Sequence, residues 1–307
     1  METVYIIVLA IALDLVLGEY PAPLHPVVWL GKFISFLDRF SPSRNPKTQF
    51  IYGAFLSILT VSISFTAVFF ILGYLKDFNT LIYVFAGGLI LKPAFCLREQ
   101  WAIALKIKKL LEKNSSGAPP KELETLLGTV PHDKESLSRE DIISASIRSI
   151  SENASDFFVA PLFYFILLGI PGAFAYRAIN TLDSMIGFHG KYEYRGKFAA
   201  RLDDVANFIP ARLTALLFIT GAFIIHQNHK QALRSAISDH AKTTSPNAGW
   251  PMAAMAGALD VSLKKARCYT MGKSLRPLST LCLSRAARLY KTSMFIWAGI
   301  CIAIVWI

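Results

Sequence analysis

Cysteine is scarce and unpatterned. There are four in 307 residues (Cys96, Cys268, Cys282 and Cys301), with no Cys-x-x-Cys pair. This excludes a zinc ribbon and a disulfide framework and leaves buried thiols. Charge is scarce too. Only 17% of the residues are Asp, Glu, Lys or Arg, against about 25% in a soluble domain. The acids are the poorer side, 21 against 32 Lys plus Arg, for a net charge of +11. Catalytic signatures are also missing. There is no Gly-x-Ser-x-Gly elbow and no Ser-His-Asp order. Gly272-Lys273-Ser274 looks like the end of a phosphate-binding loop, but Arg267 stands where that loop requires Gly. His226 and His229 have helical spacing without a Cys or Glu-x-x-His partner, so they read as interfacial side chains rather than metal ligands. No run of alternating strands, internal repeat or heptad is visible.

What is plentiful is apolar sequence, 53% of the chain, with a mean hydropathy of +0.43. Disorder is excluded by that figure. A soluble DNA binder would not need so much apolar sequence, so the basic excess calls for a lipid bilayer and no nucleic acid. The apolar residues come in blocks: 4–17, 50–75, 80–91, 157–175, 213–225 and 294–307. Only the second is long enough to span alone, since a span needs about 20 apolar residues. The fourth is interrupted by Pro161, Gly169, Pro171 and Gly172. The first has Glu2 and no base ahead of it, and no small-residue cleavage site after it, so it reads as a retained helix rather than a signal peptide. It contains Asp14. A carboxyl there either faces a bundle interior or is solvated at the interface.

Residues 227–292 hold eleven Lys and Arg against Asp239 and Asp260, a net +9 of the total +11. The segments 19–49 and 98–150 are also rich in Lys or Arg, including Arg44. By the positive-inside rule all three are cytoplasmic. If all six blocks span, segment 176–204 lies outside. If the fourth and fifth are re-entrant or buried in a bundle, residues 98–292 stay inside. The Pro and Gly interruptions favour the second arrangement, because irregular backbone at membrane depth must be buried in protein or line a cavity. Between the blocks, 101–113 reads as an interfacial helix, 114–120 as a loop, and Ser138 as the start of a helix with Glu140 and Asp141 in its first turn. The expected fold is an all-α integral membrane protein. It has about four to six membrane-embedded helices, some broken by Pro or Gly, and helical cytoplasmic segments, in a single domain over 1–307.

Four polar groups stand out. Arg148, Glu152 and Asp156 share one helix face by their spacing of four; a solvated stripe of ion pairs is the plainer reading. Arg177, Asn180, Thr181 and Asp183 follow the broken apolar block. Arg201, Asp203, Asp204, Asn207 and Arg212 form the third group, with Asp203 and Asn207 on one face. The plainer reading of Asp203–Asp204 is a cap at the start of a helix. Carboxylate and amide oxygens suit a hard cation, and guanidinium groups suit phosphate. Ser245-Pro-Asn-Ala-Gly-Trp-Pro251 reads as a rigid loop in which Asn247 is able to bond a ligand. His25-Pro26, after the first block, is a further candidate for ligand contact.

These residues follow one another in a familiar order. Ser151-Glu152-Asn153 and Asp156 precede Ala160-Pro161-Leu162-Phe163-Tyr164 and Pro171-Gly172-Ala173. Next come Tyr176-Arg177-x-x-Asn180-Thr181-Leu182-Asp183-x-Met185-x-Gly187 and Arg201-x-Asp203-Asp204-x-x-Asn207-x-x-Pro210-Ala211-Arg212. The series resembles the CbiB/CobD family of cobalamin biosynthesis, the adenosylcobinamide-phosphate synthases. Asp14, Gly18, His25-Pro26-Val27 and Gly31 resemble the family's opening, with Glu19 where an Asp is expected, and 245–251 resembles its late loop.

The resemblance implies an amide-forming ligase of the cell membrane, multi-pass, with a cytoplasmic-facing active site. It would join the propionate carboxyl of adenosylcobyric acid to aminopropanol or its phosphate, activated by ATP and Mg²⁺ through an acyl phosphate. Association with other cobalamin assembly enzymes would fit. Glu152, Asp156, Asp183, Asp203 and Asp204 are then the candidate catalytic residues, with Glu152, Asp156, Asp183 and Asp203 also as metal ligands. Asn153, Arg177, Asn180, Arg201, Asn207, Arg212, Asn247 and His25 are the candidates for binding the nucleotide and substrates. Two other readings remain open at this point: a non-catalytic signalling protein resembling AmpE, and a small transporter with a midplane site.

Overall fold

The computed structural model describes residues 1–42, 45–113, 123, 138–188, 190, 192–265 and 268–307. The expected loop at 114–120, Arg44 and Arg267 lie outside the described residues. Helix α1 (Glu2–Leu17) stops at Gly18, whose φ of 72° is accessible to glycine at little cost. Helix α2 (Pro26–Asp38) opens with Pro at its first position and the His25 ring accepting from Val27 N–H. Helix α3 (Pro46–Phe78) opens the same way, with the Asn45 side chain accepting from Lys47 N–H. Asn79 alone separates it from α4 (Thr80–Leu91), and its side chain accepts from Leu81 and Ile82 N–H. A turn of 3₁₀ helix at Lys92–Ala94 leads to α5 (Arg98–Lys113). Helix α6 (Arg139–Ala154) begins at Ser138, as expected, where Ser138 and Asp141 cap each other's backbone N–H.

A π-helical turn, Ser155–Val159, joins α6 to α7 (Ala160–Ile186). The α-helix that carries Arg148 and Glu152 ends at Ala154, and Asp156 is the second residue of the π turn. Within α7 the backbone departs from helical geometry at Gly169 (φ 68°, ψ −164°), just ahead of Pro171, as the Pro-Gly interruptions anticipated. Then come α8 (Lys197–Ala206), α9 (Phe208–Ile224), α10 (His229–Asp239), α11 (Gly249–Leu259) and α12 (Thr280–Trp306). Asp203 and Asp204 sit near the C-terminal end of α8, so they do not cap the start of a helix. Gly249, Trp250 and Pro251 lie in the first turn of α11 rather than in a loop. Proline is tolerated there because the N–H it lacks has no helical partner. Two three-residue strands, Leu263–Lys265 and Tyr269–Met271, pair antiparallel with Lys264 opposite Thr270. They are too short to show alternation in the sequence.

The chain divides into two compact units, each drawn from separated stretches. The first comprises Met1–Leu97, Asp156–Phe208 and Ile300–Ile307. In it α1 packs on α4, and α3 packs on α7 and α8. Ile34, Leu56, Leu182, Ile186 and Ala199 form one of its apolar clusters. The second comprises Arg98–Ser155 and Ile209–Gly299. In it α10 lies against α11, and α6 packs on α5 and on the hairpin. There the Ser144 hydroxyl donates to Lys264 O (3.0 Å) and accepts from Lys264 N–H (2.8 Å).

This is an all-α membrane protein. Among the described residues, three helical stretches are long and apolar enough to cross a bilayer: α3, Arg139–Ile186 and α12. The count rises to five if the bent pairs Thr80–Ala94 with Arg98–Lys113, and α8 with α9, each count as one span. That range overlaps the expected four to six. The last apolar block gains its length by extending back to Thr280. Helix α3 leaves Phe55, Ile58, Phe70 and Tyr74 exposed, as a lipid-facing surface requires. Its buried Ser57 and Thr60 hydroxyls donate to Gly53 O and Leu56 O, 2.7 Å each, which offsets the cost of placing them in an apolar setting.

Candidate functional site

Two polar clusters of the first unit lie near α7, one reached from the N-terminal elements and one from α8. At the first, Lys92 is fully buried (0% exposed). Its ammonium lies 3.3 Å from Asp14 Oδ1 and 3.1 Å from Glu19 Oε1, and 5.2 Å from the centre of the Tyr20 ring. Asp14 is 1% exposed and accepts from Leu97 N–H (3.2 Å). It therefore faces the interior, and an interfacial, solvated position is excluded. The His25 ring closes the cluster. Its Nδ1 accepts from Val27 N–H, so Nε2 carries the proton and donates to Glu19 Oε2 at 2.9 Å. Burial pushes the Glu19 carboxyl up, but the bonds from His25 and the Lys92 charge outweigh it and bring its pKa down to about 2.

Sequence reasoning singles out His25 here and misses Lys92, which directly follows the apolar block 80–91. Glu19 was noted only as a departure from the expected Asp. An apolar cleft of about 480 Å³ opens beside the cluster, lined among others by Tyr20, Trp29, Val68, Ile71, Pro93 and Phe174.

At the second place, α7 presents Tyr176, Arg177, Asn180 and Asp183 in little more than two turns. The Arg177 guanidinium lies over the Phe157 ring (4.5 Å) and donates to Asn180 Oδ1 (3.1 Å). The charges of Glu19 and Asp156 both reach it. The buried Tyr176 hydroxyl donates to Asn207 Oδ1 (2.8 Å), and Asn207 Nδ2 donates to Asp203 Oδ2 (2.9 Å). That bond joins the two residues which spacing put on one face of α8. The Tyr164 and Tyr176 rings stack at 5.3 Å, and Tyr164 donates to Ala206 O (3.0 Å), which ties the end of α8 to α7. Asp183, Asp203 and Asp204 are close enough to act on one another electrostatically. Gly187 leaves room for the Asp183 carboxylate, which a Cβ at that position would overlap. Tyr176, the hinge of this network, gave no signal in the sequence beyond its place in the motif.

The other candidates fall elsewhere. Arg201, on the exposed side of α8, lines a separate cleft with Lys47 and Lys197. Glu152, Asn153, Arg212 and Asn247 belong to the second unit. There Asn153 donates to Gln100 Oε1 (2.8 Å), and the charge of Glu152 reaches Tyr269. Arg212 donates to Asn247 Oδ1 (3.2 Å) and lies over the Trp250 ring (5.1 Å), whose indole stacks on His240 at 3.9 Å.

Among the described residues, no three His, Cys, Asp or Glu side chains form a ready-made metal cage. Mg²⁺ does not need one. It is commonly held by one or two carboxylates, waters and substrate phosphates. The buried Asp203 Oδ1 lacks a well-directed hydrogen bond, with the Asn180 amide the donor within reach. A carboxylate oxygen left in this way, beside two further carboxylates, fits a hard cation.

The CobD/Cbib protein family matches residues 7–290. The cobalamin biosynthesis protein CobD of Dehalococcoides mccartyi is 40% identical over 306 residues, 100% of this chain and 98% of the relative. The probable cobalamin biosynthesis protein CobD of Methanothermobacter thermautotrophicus is 37% identical, covering 97% of this chain and 96% of the relative. A protein of the same description from Pyrococcus furiosus is 37% identical over 85% of each chain. No solved structure matches. A match of this length, with likeness end to end, shows that the chain belongs to the CobD/Cbib protein family.

Proposed function

We propose that this chain is a cobalamin biosynthesis enzyme of the cell membrane. It forms the amide between the propionate carboxyl of adenosylcobyric acid and the amine of aminopropanol or aminopropanol phosphate. One observation carries the reading: the network Arg177–Asn180 and Tyr176–Asn207–Asp203, set beside Asp183 and Asp204 in one unit. When bound, Mg²⁺ and ATP supply the phosphoryl group that activates the carboxyl. Asp183 and Asp203 are the residues to hold the metal, and the Asn180 and Asn207 side chains orient the ligands around it.

The rest of the chemistry needs positioning and charge from the protein. Arg177 is held over Phe157 and against Asn180, so its guanidinium is fixed before any anion arrives. It balances the negative charge that gathers as carboxylate and phosphates come together. The incoming amine must lose a proton before it attacks. Asp204, close to both Asp183 and Asp203, is the carboxylate that would accept that proton. Asp156 holds the charge of Arg177 in place, and the aromatic pair Tyr164–Tyr176 excludes water from the Asn207 side. A cytoplasmic-facing site fits the basic segment 227–292, and it gives access to soluble nucleotide and to other cobalamin assembly enzymes.

The test is product formation by the purified full chain in detergent, given adenosylcobyric acid, Mg-ATP and each amine in turn. Mass spectrometry reads the corrinoid amide. Asp203→Asn, which keeps the bond to Asn207 but removes the charge, abolishes turnover in this reading. Absence of any amide with both amines, or full activity in Asp203→Asn, overturns it.

A further inference from the structure

We infer that the cleft between the first turns of α3 and α8 binds the headgroup phosphate of an anionic phospholipid. The cleft has a volume of about 580 Å³ and belongs wholly to the first unit. Its cationic side chains are Lys47 at the start of α3, and Lys197 and Arg201 on α8. None of the three makes an ion pair with a described residue. Asp38, an acid that serves this region, is taken by Arg195 at 3.0 Å. Three like charges brought together without a counter-charge repel one another, so an anion from outside the chain relieves the site.

The backbone adds to the same field. Both helices point their N-terminal, positive ends toward the cleft, and α8 begins at Gly196 without a side-chain cap. Close approach of the chain builds the arrangement. A Cβ at Gly53 of α3 would overlap the Arg195 carbonyl, and one at Gly196 would overlap the Ile186 carbonyl. Only glycine lets the turn before α8 lie against α3, and that contact sets Lys197 beside Lys47.

The remaining wall selects a lipid over a soluble phosphate. Phe50 and Phe198 meet edge to face at 6.4 Å, and Ile51 is 66% exposed. From Ile51 the exposed Phe55 and Ile58 follow at helical spacing along α3. This stripe runs from the cationic mouth along a membrane-crossing helix, a path for an acyl chain whose headgroup sits among the cations. A soluble anion has no use for it. Basic side chains at the end of a spanning helix are where anionic headgroups bind. The site is separate from the carboxylate network, and its occupancy does not depend on the proposed reaction.

Native mass spectrometry of the full chain in detergent tests this, with phosphatidylglycerol, phosphatidylcholine and inorganic phosphate as separate probes. Phosphatidylglycerol is expected to bind in preference to phosphatidylcholine. Lys47→Gln and Lys197→Gln each weaken it about fivefold, and the pair about 25-fold. Lys47→Arg with Lys197→Arg retains binding, and Lys76→Gln at the far end of α3 leaves it unchanged. Equal binding of the two lipids, or full phosphatidylglycerol binding by the double Gln variant, overturns the inference. Displacement of phosphatidylglycerol by an equal concentration of inorganic phosphate overturns it too, by making the ligand a soluble anion.

Discussion

Replacing Lys92 by Met removes a charge and keeps the length of the side chain. The Lys92 ammonium lies 3.3 Å from Asp14 and 3.1 Å from Glu19. At an effective dielectric constant of about 20, each contact is worth about 5 kcal/mol before desolvation is counted. The Glu19 share is discounted, because that side chain is 29% exposed and water screens it. The Asp14 share is not, at 1% exposure. Without Lys92 the Asp14 carboxylate stays buried and still accepts from Leu97 N–H. Breaking a buried pair from one side costs about 3–5 kcal/mol. At about 2 °C per kcal/mol for a large domain, the unfolding midpoint falls by roughly 6–10 °C. Intrinsic fluorescence from the five Trp residues follows the melt in detergent. Adding Asp14→Asn to Lys92→Met removes the stranded charge while an amide oxygen still faces Leu97, and more than half of the loss returns. A midpoint within about 2 °C of wild type for Lys92→Met, or no recovery in the double variant, refutes the reasoning.

Three further outcomes are expected. The Glu19 carboxyl is held at about 2, below its ordinary 4.5, so its contribution is fully present above pH 4.5 and is lost as the pH falls toward 2; unfolding followed across that window should show a slope that Glu19→Gln flattens. Tyr176→Phe leaves Asn207 Oδ1 without its buried donor, costs about 1–3 kcal/mol by denaturant titration, and lowers turnover by letting Asp203 and Asn207 shift. Gly53→Ala drives a methyl into the Arg195 carbonyl; overpacking of this kind costs about 1–3 kcal/mol, and the Asp38–Arg195 pair should loosen, seen as faster hydrogen exchange over 192–196.

Much of the local architecture was legible because its causes are local. Ser138 with Asp141 marks a helix start whatever surrounds it. Gly169 and Pro171 break a helix by their own backbone limits. The membrane class followed from apolar blocks and sparse charge, which bulk transfer energies decide. The two three-residue strands escaped notice because a hairpin that short has no period to read. The stripe Arg148–Glu152–Asp156 rests on α-helical spacing, whereas α6 ends at Ala154 and Asp156 lies in the π turn 155–159, a change of winding that residue spacing does not announce.

The site divides along the same line. Asp203 and Asn207 were paired correctly, since four residues on one helix settle their contact. The choice for Asp14 stayed open, because its partner Lys92 comes from the far end of α4 and the spacing of neither residue points to the other. Arg201 shows the limit from the other side. It shares a short helix with Asp203 and Asp204, and residue type alone grouped the three. Yet 100° per residue turns its side chain outward to meet Lys47 and Lys197. In the two proposals, a guanidinium beside two lysines and an apolar stripe would meet a headgroup, and one laid on Phe157 within reach of Glu19 and Asp156, as in Arg177, would meet a reacting anion. Packing, not residue type, sets that difference.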